Sequence, residues 1–324
     1  MPTKSILVVG GAGYIGSHMV ACLQRSGFTP VVLDNLSTGH REAVGDAQLI
    51  VGDITDTQLL DAVFSTQPFL SVMHFASLIQ VGESVKDPAS YYHNNVTGTL
   101  NLLRAMLKWH VKKIIFSSTA AVYGEPISVP IQEEHPLVPI NPYGHSKRMA
   151  EQILNDFAHA YGLQFASLRY FNAAGADLEN KLVERHDPET HLIPLLLNAA
   201  RGEAAAVTIY GRDYPTFDGT CIRDFIHVMD LCQAHLYALQ ALLDGKQNGF
   251  YNLGTGQGYS VQQVVDTAKS ITGLDIPVVY GDRRSGDPAV LVADPSRAMR
   301  ELNWQPKYSD LATIIAHAHS ASAR

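Results

Sequence analysis

Three cysteines in 324 residues are too few for a disulfide framework. They stand apart in the chain, at positions 22, 221 and 232, and form no zinc-binding spacing. We therefore expect a reducing, cytoplasmic compartment. The 14 histidines are dispersed and show no H-E-x-x-H pattern, so we predict no metal site and rank a zinc enzyme third among the possible functions.

Long apolar runs and an excess of basic residues are also lacking. No apolar stretch approaches the roughly 20 residues that a membrane-spanning helix needs, and the chain enters the strand-like run ILVVG too early for a secretory leader. The formal charge is -7, from 24 basic and 31 acidic residues, which argues against nucleic acid or an anionic membrane as the main partner. Any anionic ligand must therefore be held by single arginines or by helix N-termini.

The chain does contain short apolar runs that alternate with longer amphipathic segments. SILVVG, PVVLD, QLIVGD and LSVMHFA have the length and composition of buried strands. This order is typical of a parallel sheet covered by helices on both faces, so we predict a doubly wound α/β domain for residues 1–172. We predict a second, smaller α/β domain for residues 173–324, with segments near 221–255 able to pack back onto the first.

A glycine-rich loop joins the first predicted strand to the first predicted helix. In VVGGAGYIGSH, it places Gly10, Gly13 and Gly16 in a G-x-x-G-x-x-G pattern. Glycine permits a tight turn and close backbone approach, and the helix N-terminus offers N–H groups to a pyrophosphate. Asp34 ends the second predicted strand, at the distance expected for an acid that binds the adenosine ribose. Together these features predict a dinucleotide site, and the carboxylate favours NAD because it would repel the extra phosphate of NADP.

Tyr143 and Lys147, in NPYGHSK, stand four residues apart at the start of a helix-like run. On a helix this spacing places both side chains on one face. A nearby cation lowers the pKa of a tyrosine, ordinarily near ~10, and so makes the phenol available as a base near neutral pH. Taken alone, so short a pattern recurs by chance, and an exposed aromatic beside a solvated lysine explains most of its occurrences.

The spacing of the glycine loop, the hydroxyls of SST at 117–119 and YGHSK resembles the extended short-chain dehydrogenase/reductase family. More narrowly, GGAGYIGSH, FSSTAAVYG, PINPYGHSK, LRYFNAAGA and RDYPTFDGTCIRDFIHVMDL resemble the UDP-glucose 4-epimerase family, and further motifs extend the resemblance over nearly the whole chain. The resemblance implies a Rossmann-type domain with tightly bound NAD, a UDP-sugar-binding domain and a homodimer. It also implies inversion at C4 between UDP-glucose and UDP-galactose through a transient 4-keto sugar.

The resemblance assigns expected roles to individual residues. Tyr143 is the expected base, Lys147 is expected to lower its pKa and hold the nicotinamide ribose, and Thr119 to bond the 4-hydroxyl. The expected cofactor contacts are Gly10, Gly13, Tyr14, Ile15, Gly16, Asp34, Asn35, Asp53, Ile54, Phe75, Ala76, Ser77, Asn94, Lys147 and Tyr170. The expected substrate contacts are Thr119, Tyr143, Asn172, His191, Leu192, Tyr210, Arg223, Arg284, Asp287 and Leu291.

Several positions depart from the family pattern or leave the substrate open. Thr119 stands where serine is commoner, but it keeps the hydroxyl. His191 replaces an asparagine of some members, so its protonation matters, and Ile79 replaces a lysine that contacts the cofactor in some relatives. Leu291 occupies a gate position and is intermediate in size between residues that admit plain hexoses and those that admit N-acetylated sugars. UDP-glucose and UDP-galactose are the expected pair; the UDP-N-acetylhexosamines or another UDP-sugar remain alternatives.

The two residues after Thr119 argue against other functions known on the same scaffold. Sugar-nucleotide dehydratases typically carry an Asp-Glu pair there and uronate decarboxylases a glutamate at the first position, whereas this chain has Ala120 and Ala121. A catalytically idle NAD-binding sensor is the alternative outside the enzymes, and the presence of Thr119, Tyr143 and Lys147 argues against it. Epimerisation therefore ranks first.

Overall fold

The computed structural model describes residues 4–284 and 287–322. Its strands are β1 Ser5–Val9, β2 Thr29–Asp34, β3 Gln48–Val51, β4 Ser71–His74, β5 Lys113–Thr119, β6 Gln164–Tyr170, β7 Asn172–Ala174, β8 Val207–Tyr210, β9 Ile222–Arg223, β10 Phe225–His227, β11 Gly249–Leu253, β12 Tyr259–Ser260, β13 Val278–Gly281 and β14 Val290–Leu291. Its α-helices are α1 Tyr14–Arg25, α2 Thr57–Thr66, α3 Val81–Lys86, α4 Pro88–Tyr92, α5 Thr99–Lys108, α6 Pro142–Tyr161, α7 Leu192–Ala200, α8 Val228–Leu243, α9 Val261–Thr272, α10 Ser296–Glu301 and α11 Leu311–Ser322. Within this part of the chain, no helix combines the length and the apolar character needed to cross a membrane.

The chain divides into two compact units. Within the described residues, the first unit comprises the chain up to Glu125, Pro136–Arg169 and Cys232–Tyr251. The second unit comprises Pro126–His135, Tyr170–Leu231 and the chain from Asn252 onwards.

A seven-stranded sheet forms the centre of the first unit. Its strand order is β11-β6-β5-β4-β1-β2-β3, and parallel pairing joins β1 to β2 and β4. The five residues of β1, SILVV, are all buried, which explains their continuous apolar character. The strand order reverses between β1 and β4, and the carboxyl ends of strands at such a point are where doubly wound folds bind ligands. The predicted Rossmann-type α/β fold is confirmed.

The helical stretch before β5 is divided, because a π-helical segment at His93–Gly98 separates α4 from α5. Single π-helical turns inside helices are frequent at functional sites. The helix-like run that contains Tyr143 and Lys147 corresponds to α6. Asn141 caps α6 by accepting a hydrogen bond from the Gly144 N–H at 2.9 Å, which places Tyr143 in its first turn.

The second unit combines small sheets with a helical core. β7 pairs with β10, β8 with β13, and β9 lies between β12 and β14. Apolar side chains of α7, α9 and α11 pack together in its core, among them Leu196, Val264 and Ile314. Fully burying a side chain of this size stabilises the fold by about 1.5–3 kcal/mol. In the parallel pairing of β9 with β14, Leu291 lies opposite Arg223.

Candidate functional site

The glycine loop follows β1 at the carboxyl edge of the sheet. Gly10 has a φ of +80°, and a Cβ there would lie 2.4 Å from the Ala76 nitrogen. A Cβ on Gly16 would lie 2.0 Å from the Gly10 carbonyl oxygen. At Gly13, by contrast, the nearest protein atom would be 3.5 Å away, an ordinary contact distance. The fold itself therefore requires glycine at positions 10 and 16, whereas close approach of a ligand gives the physical reason for glycine at 13.

Asp34, the last residue of β2, is buried beside this loop. Its carboxylate accepts hydrogen bonds from the Ala12 N–H at 2.9 Å and the Leu36 N–H at 2.8 Å. The predicted ribose-binding acid thus also holds the glycine loop in place. Each carboxylate oxygen has a second lone pair, so these two bonds leave acceptor capacity for a ribose hydroxyl.

Asn35 and Asp53, both predicted cofactor contacts, lie against each other. The Asn35 amide donates to the Asp53 carboxylate at 2.8 Å, and the same carboxylate accepts from the Thr55 N–H at 2.8 Å. Burial raises the pKa of Asp53, but the hydrogen bonds from Thr55 and Asn35 outweigh that effect and lower it. Ile54 is buried in the core of the first unit, with its side chain against Gly98.

The predicted contacts after β4 are placed by hydrogen bonds to β1. The N–H groups of Phe75 and Ala76 both donate to the Val9 carbonyl, at 2.7 and 3.1 Å. The Ser77 hydroxyl faces the Leu78 carbonyl at 3.4 Å, and Ile79 is exposed. These residues therefore lie directly beside the glycine loop.

The remaining predicted cofactor contacts lie on helices and at a strand end. Tyr14 and Ile15 begin α1, and Tyr170 ends β6. Asn94 lies in the π-helical segment, where its amide donates to the Asn95 side chain at 2.8 Å.

Asn95 is a buried residue that sequence reasoning missed. Its side chain accepts from the Leu78 N–H at 2.9 Å and donates to the Ser146 hydroxyl at 3.0 Å. Ser146 in turn donates to the Tyr143 carbonyl at 2.7 Å. This chain of hydrogen bonds connects the segment after β4 to the first turn of α6. The adjacent asparagines at 94 and 95 are a visible signal, but sequence alone does not tell which of them is buried.

Thr119, Tyr143 and Lys147 come together where β5 ends against α6. All three are buried, and the Tyr143 phenol is hydrogen-bonded to the Thr119 hydroxyl. The Lys147 ammonium donates to the Ser117 carbonyl at 2.8 Å and lies 4.9 Å from the centre of the Phe116 ring. A tyrosine and a lysine one helical turn apart are therefore not surface residues in this chain.

Burial determines the protonation of this pair. It raises the pKa of Tyr143 to about 12, although the hydrogen bond with Thr119 partly offsets the rise. Burial lowers the pKa of Lys147 to about 7, against an opposing effect of the Glu151 charge. In the chain by itself, the phenol is thus a weaker acid than free tyrosine. The predicted lowering of its pKa by Lys147 therefore stays a prediction for the cofactor-bound protein.

Glu151 and Arg169 form a buried ion pair next to these residues, which sequence reasoning also missed. Arg169 donates to the Glu151 carboxylate from Nε at 2.9 Å and from Nη2 at 2.8 Å, with both side chains 3% exposed. Glu151 also accepts from the Ser118 hydroxyl at 2.7 Å and the Ser167 hydroxyl at 2.9 Å. Glu151 lies one turn after Lys147 on α6, and this spacing was the available signal.

In the second unit, five of the predicted substrate contacts lie next to one another. Arg223 donates to the Asp287 carboxylate at 2.6 Å, and Leu291 is its neighbour across the strands. The Arg284 guanidinium stacks over the Tyr210 ring, 3.9 Å from its centre, and the Arg284 carbonyl accepts from the Asp287 N–H at 3.3 Å. The predicted substrate contacts Arg223, Arg284 and Tyr210 are thus linked through Asp287 and through ring stacking.

The other predicted substrate contacts lie elsewhere in the second unit. Asn172 begins β7 and donates from its side chain to the Asp224 carbonyl at 2.8 Å. Leu192 is the first residue of α7, and His191 precedes it at the N-cap.

His191 belongs to a cluster of two histidines and two glutamates. Its partners are Glu184, His186 and Glu189. Burial lowers the pKa of His191, but hydrogen bonds to Glu184 and Glu189 more than compensate and raise it to about 10. The sequence analysis predicts no metal site, yet these side chains are all of metal-ligating types. Their spacing, E-x-H-x-x-E-x-H, was visible in the sequence but matches no standard helical metal motif.

Comparison with known proteins identifies related chains over almost the full length. Residues 6–254 match the family model described as NAD dependent epimerase/dehydratase family. A protein of Halalkalibacterium halodurans named UDP-glucose 4-epimerase is 52% identical over 314 residues, which cover 97% of this chain and 94% of the relative.

Two solved structures have the same fold. UDP-glucose 4-epimerase from Brucella ovis in complex with NAD superposes with a TM-score of 0.95 at 49% identity, covering 98% of this chain and 97% of the other. The enzyme from Bifidobacterium longum in complex with NAD+ and UDP superposes with a TM-score of 0.94 at 39% identity, covering 98% of each chain. Sequence and fold therefore agree on one family.

Proposed function

Because this chain belongs to the NAD dependent epimerase/dehydratase family, we propose that it interconverts UDP-glucose and UDP-galactose by inverting C4 of the sugar. The observation that carries the proposal is the buried group of Thr119, Tyr143 and Lys147 on the same sheet edge as the glycine loop. The name of the Halalkalibacterium halodurans relative supports the same reaction. NAD is the cofactor.

Residues of this chain carry out the proton transfers at the sugar's 4-hydroxyl. Thr119 hydrogen-bonds the sugar 4-hydroxyl and aligns it with Tyr143, which removes the O4 proton and later returns it. Bound NAD would supply hydride chemistry at C4 of the sugar, reversibly and so without net redox change. The 4-keto sugar rotates in the site between the first and the second hydride transfer, so that its other face is presented. Burial excludes water from this position and so protects the ketone stage.

Lys147 is proposed to hold the nicotinamide ribose and, as a cation, to favour the Tyr143 phenolate. The pKa of Tyr143 is about 12 in the chain by itself, so base action near neutral pH needs added positive charge. Burial lowers the pKa of Lys147 to about 7 even though the Glu151 charge opposes that lowering. We assign Glu151 the role of keeping Lys147 protonated.

We propose that the first unit binds NAD and the second binds the UDP-sugar. Gly13, the main-chain amides of the glycine loop and Asp34 are suited to a pyrophosphate and a ribose. In the second unit, Arg223 and Arg284 can hold the substrate's pyrophosphate, since the guanidinium fork matches phosphate oxygens. Tyr210 supplies the face for uracil, and Leu291 limits the space at C2 of the sugar.

A homodimer and a cytoplasmic location are parts of the same proposal. Exposed apolar side chains on α5 and α6 support pairing between copies, namely Leu107, Met149 and Tyr161. Light scattering on the purified protein tests it, and a monomeric mass at micromolar concentration overturns it. All three cysteines are buried thiols, which fits a reducing compartment.

The reaction is tested by incubating the purified enzyme with UDP-glucose, UDP-galactose and the two UDP-N-acetylhexosamines. We expect interconversion of the hexose pair and a slower reaction of the N-acetyl pair. N-acetyl turnover that matches the hexose rate would reverse the sugar ranking, and no turnover of any pair by NAD-loaded protein would refute the function. The matched variant Tyr143→Phe is expected to lower kcat by about 10²–10⁴ while it stays folded and NAD-loaded.

A further inference from the structure

Four side chains of the second unit converge on one point. Glu184, His186, Glu189 and His191 each contribute one ligand atom, and these four atoms lie within 4.8 Å of one another. Nδ1 of His191 lies 3.0 Å from the Glu184 carboxylate and 2.9 Å from that of Glu189. Nδ1 of His186 lies 3.3 and 3.7 Å from the same two carboxylates. Both imidazoles thus face both carboxylates, and Glu189 presents a different oxygen to each histidine.

The separations match those of a small tetrahedral metal site. With zinc–nitrogen and zinc–oxygen bonds of about 2.0–2.2 Å, neighbouring ligand atoms lie roughly 3.3–3.5 Å apart. The four measured nitrogen–oxygen distances, 2.9, 3.0, 3.3 and 3.7 Å, lie on both sides of that value. Because the ligand atoms lie up to 4.8 Å apart, an ion at the centre requires the most distant side chains to move closer by about an ångström.

Burial sets this cluster apart from ordinary surface charges. The glutamate side chains are 6% and 11% exposed, for Glu184 and Glu189, whereas His186 is 17% and His191 39% exposed. Carboxylates removed from water to this degree need a compensating positive charge. A divalent cation carries the two positive charges that balance them, as two protonated imidazoles also would.

The surrounding backbone gives such an ion a structural purpose. Residues 175–191, all of which the structure describes, contain no helix or strand, only an isolated bridge between Asp177 and Leu182. Connections of this length without secondary structure need other means of being held. The cluster spans the last part of this connection and ends at His191, the N-cap of α7.

We propose that Glu184, His186, Glu189 and His191 bind one divalent transition-metal ion, Zn²⁺ in the first instance, which fixes the segment that leads into α7. Two imidazoles and two carboxylates suit zinc and similar first-row ions, whereas calcium and magnesium prefer all-oxygen sites. Four protein ligands leave no open position, which is the pattern of structural rather than catalytic zinc.

The ion also gives His191 a defined state. Coordination through Nδ1 requires a neutral ring and leaves Nε2 with its proton as a hydrogen-bond donor. If His191 contacts the nucleotide, a consequence that rests on the proposed function, the metal removes the dependence on its protonation. The histidine then offers a fixed N–H, as the asparagine amide does in the related family members.

Metal content is the direct test. The untagged protein is purified without chelators, dialysed, and analysed for metals by mass spectrometry. We expect about one zinc per chain, and a decrease of about tenfold or more in His186→Ala and in Glu189→Gln. The control is His159→Ala, an exposed histidine on α6 whose ring contacts the Asn155 carbonyl, and it should keep the wild-type content.

A second measurement keeps the proposal testable if the variants fold poorly. Wild-type protein treated with a strong chelator and then titrated with Zn²⁺ should show a Tm increase of roughly 5 °C, since an ion that binds only the folded state stabilises it. Separate titrations use Mn²⁺ and Co²⁺ in place of Zn²⁺. Co²⁺ bound with tetrahedral geometry should give visible absorption bands. A metal-free wild type whose Tm does not respond to any of these ions refutes the site. Both readouts are independent of epimerase activity, so either result leaves the proposed function to its own test.

Discussion

Replacing Glu151 with glutamine removes one charge from the buried network beside Thr119 and Lys147. Glu151 accepts four hydrogen bonds, two of them from Arg169, and both members of this ion pair are 3% exposed. Removal of one partner leaves the Arg169 guanidinium buried without a counter-charge, which costs about 3–5 kcal/mol. For a chain of this size we expect Tm to decrease by roughly 6–15 °C.

The same substitution should change how activity depends on pH. Burial lowers the pKa of Lys147 to about 7, and the Glu151 charge limits this lowering. Without that charge the pKa of Lys147 falls further, so the ammonium loses its proton at lower pH. We therefore expect the alkaline decline of kcat to begin at a lower pH in Glu151→Gln, measured with saturating UDP-galactose.

Two controls separate stability from chemistry. Glu203→Gln removes an exposed carboxylate paired with Arg201 and should leave Tm within about 1 °C. Replacing Glu151 by leucine together with Arg169 by methionine removes both charges, and so should recover most of the lost stability but not the wild-type pH profile. A Glu151→Gln protein that keeps both its Tm and its pH profile would refute the reasoning.

The glycine loop and Lys147 give further predictions. Gly16→Ala places a Cβ 2.0 Å from the Gly10 carbonyl oxygen, so it should lower Tm strongly and prevent NAD binding. Gly13→Ala places its Cβ 3.5 Å from the nearest protein atom, so it should keep Tm within about 1–2 °C but weaken NAD binding. Thermal unfolding and cofactor titration measure both effects, and equal losses in the two variants would contradict the prediction. Because the folded-state pKa of Lys147 is lowered to about 7 from 10.5, the unfolded chain binds more protons between these values, so the stability of cofactor-free protein should rise with pH over that window relative to Lys147→Met. A Tm difference independent of pH would refute the assignment.

Much of the fold could be predicted because its determinants are local. The buried strands of the sheet are continuous apolar runs, and Gly10 and Gly16 stand where the turn into α1 requires them. The break between α4 and α5 could not be predicted, because HNNVTG has ordinary helical neighbours and its π geometry depends on tertiary contacts of Asn95.

The buried network and the histidine–glutamate cluster could not be predicted for a related reason. Arg169 lies on β6 and Glu151 on α6, so their pairing follows from how a strand and a helix pack. His186 and His191 both contact the Glu184 carboxylate from an irregular segment of backbone. Such a segment has no helical or strand periodicity, so the direction of its side chains cannot be deduced from their spacing in the sequence. Sequence spacing placed Tyr143 beside Lys147, but the direction of their pKa shifts depends on burial.

Asp34 places a barrier in the way of any change of coenzyme preference. The carboxylate that would repel a 2′-phosphate also accepts the Ala12 N–H at 2.9 Å, so its loss loosens the loop on which every dinucleotide depends. A single substitution toward NADP therefore weakens the binding of both coenzymes before it can favour one. A variant designed to accept NADP would therefore need a second acceptor for the Ala12 N–H as well as a replacement for Asp34.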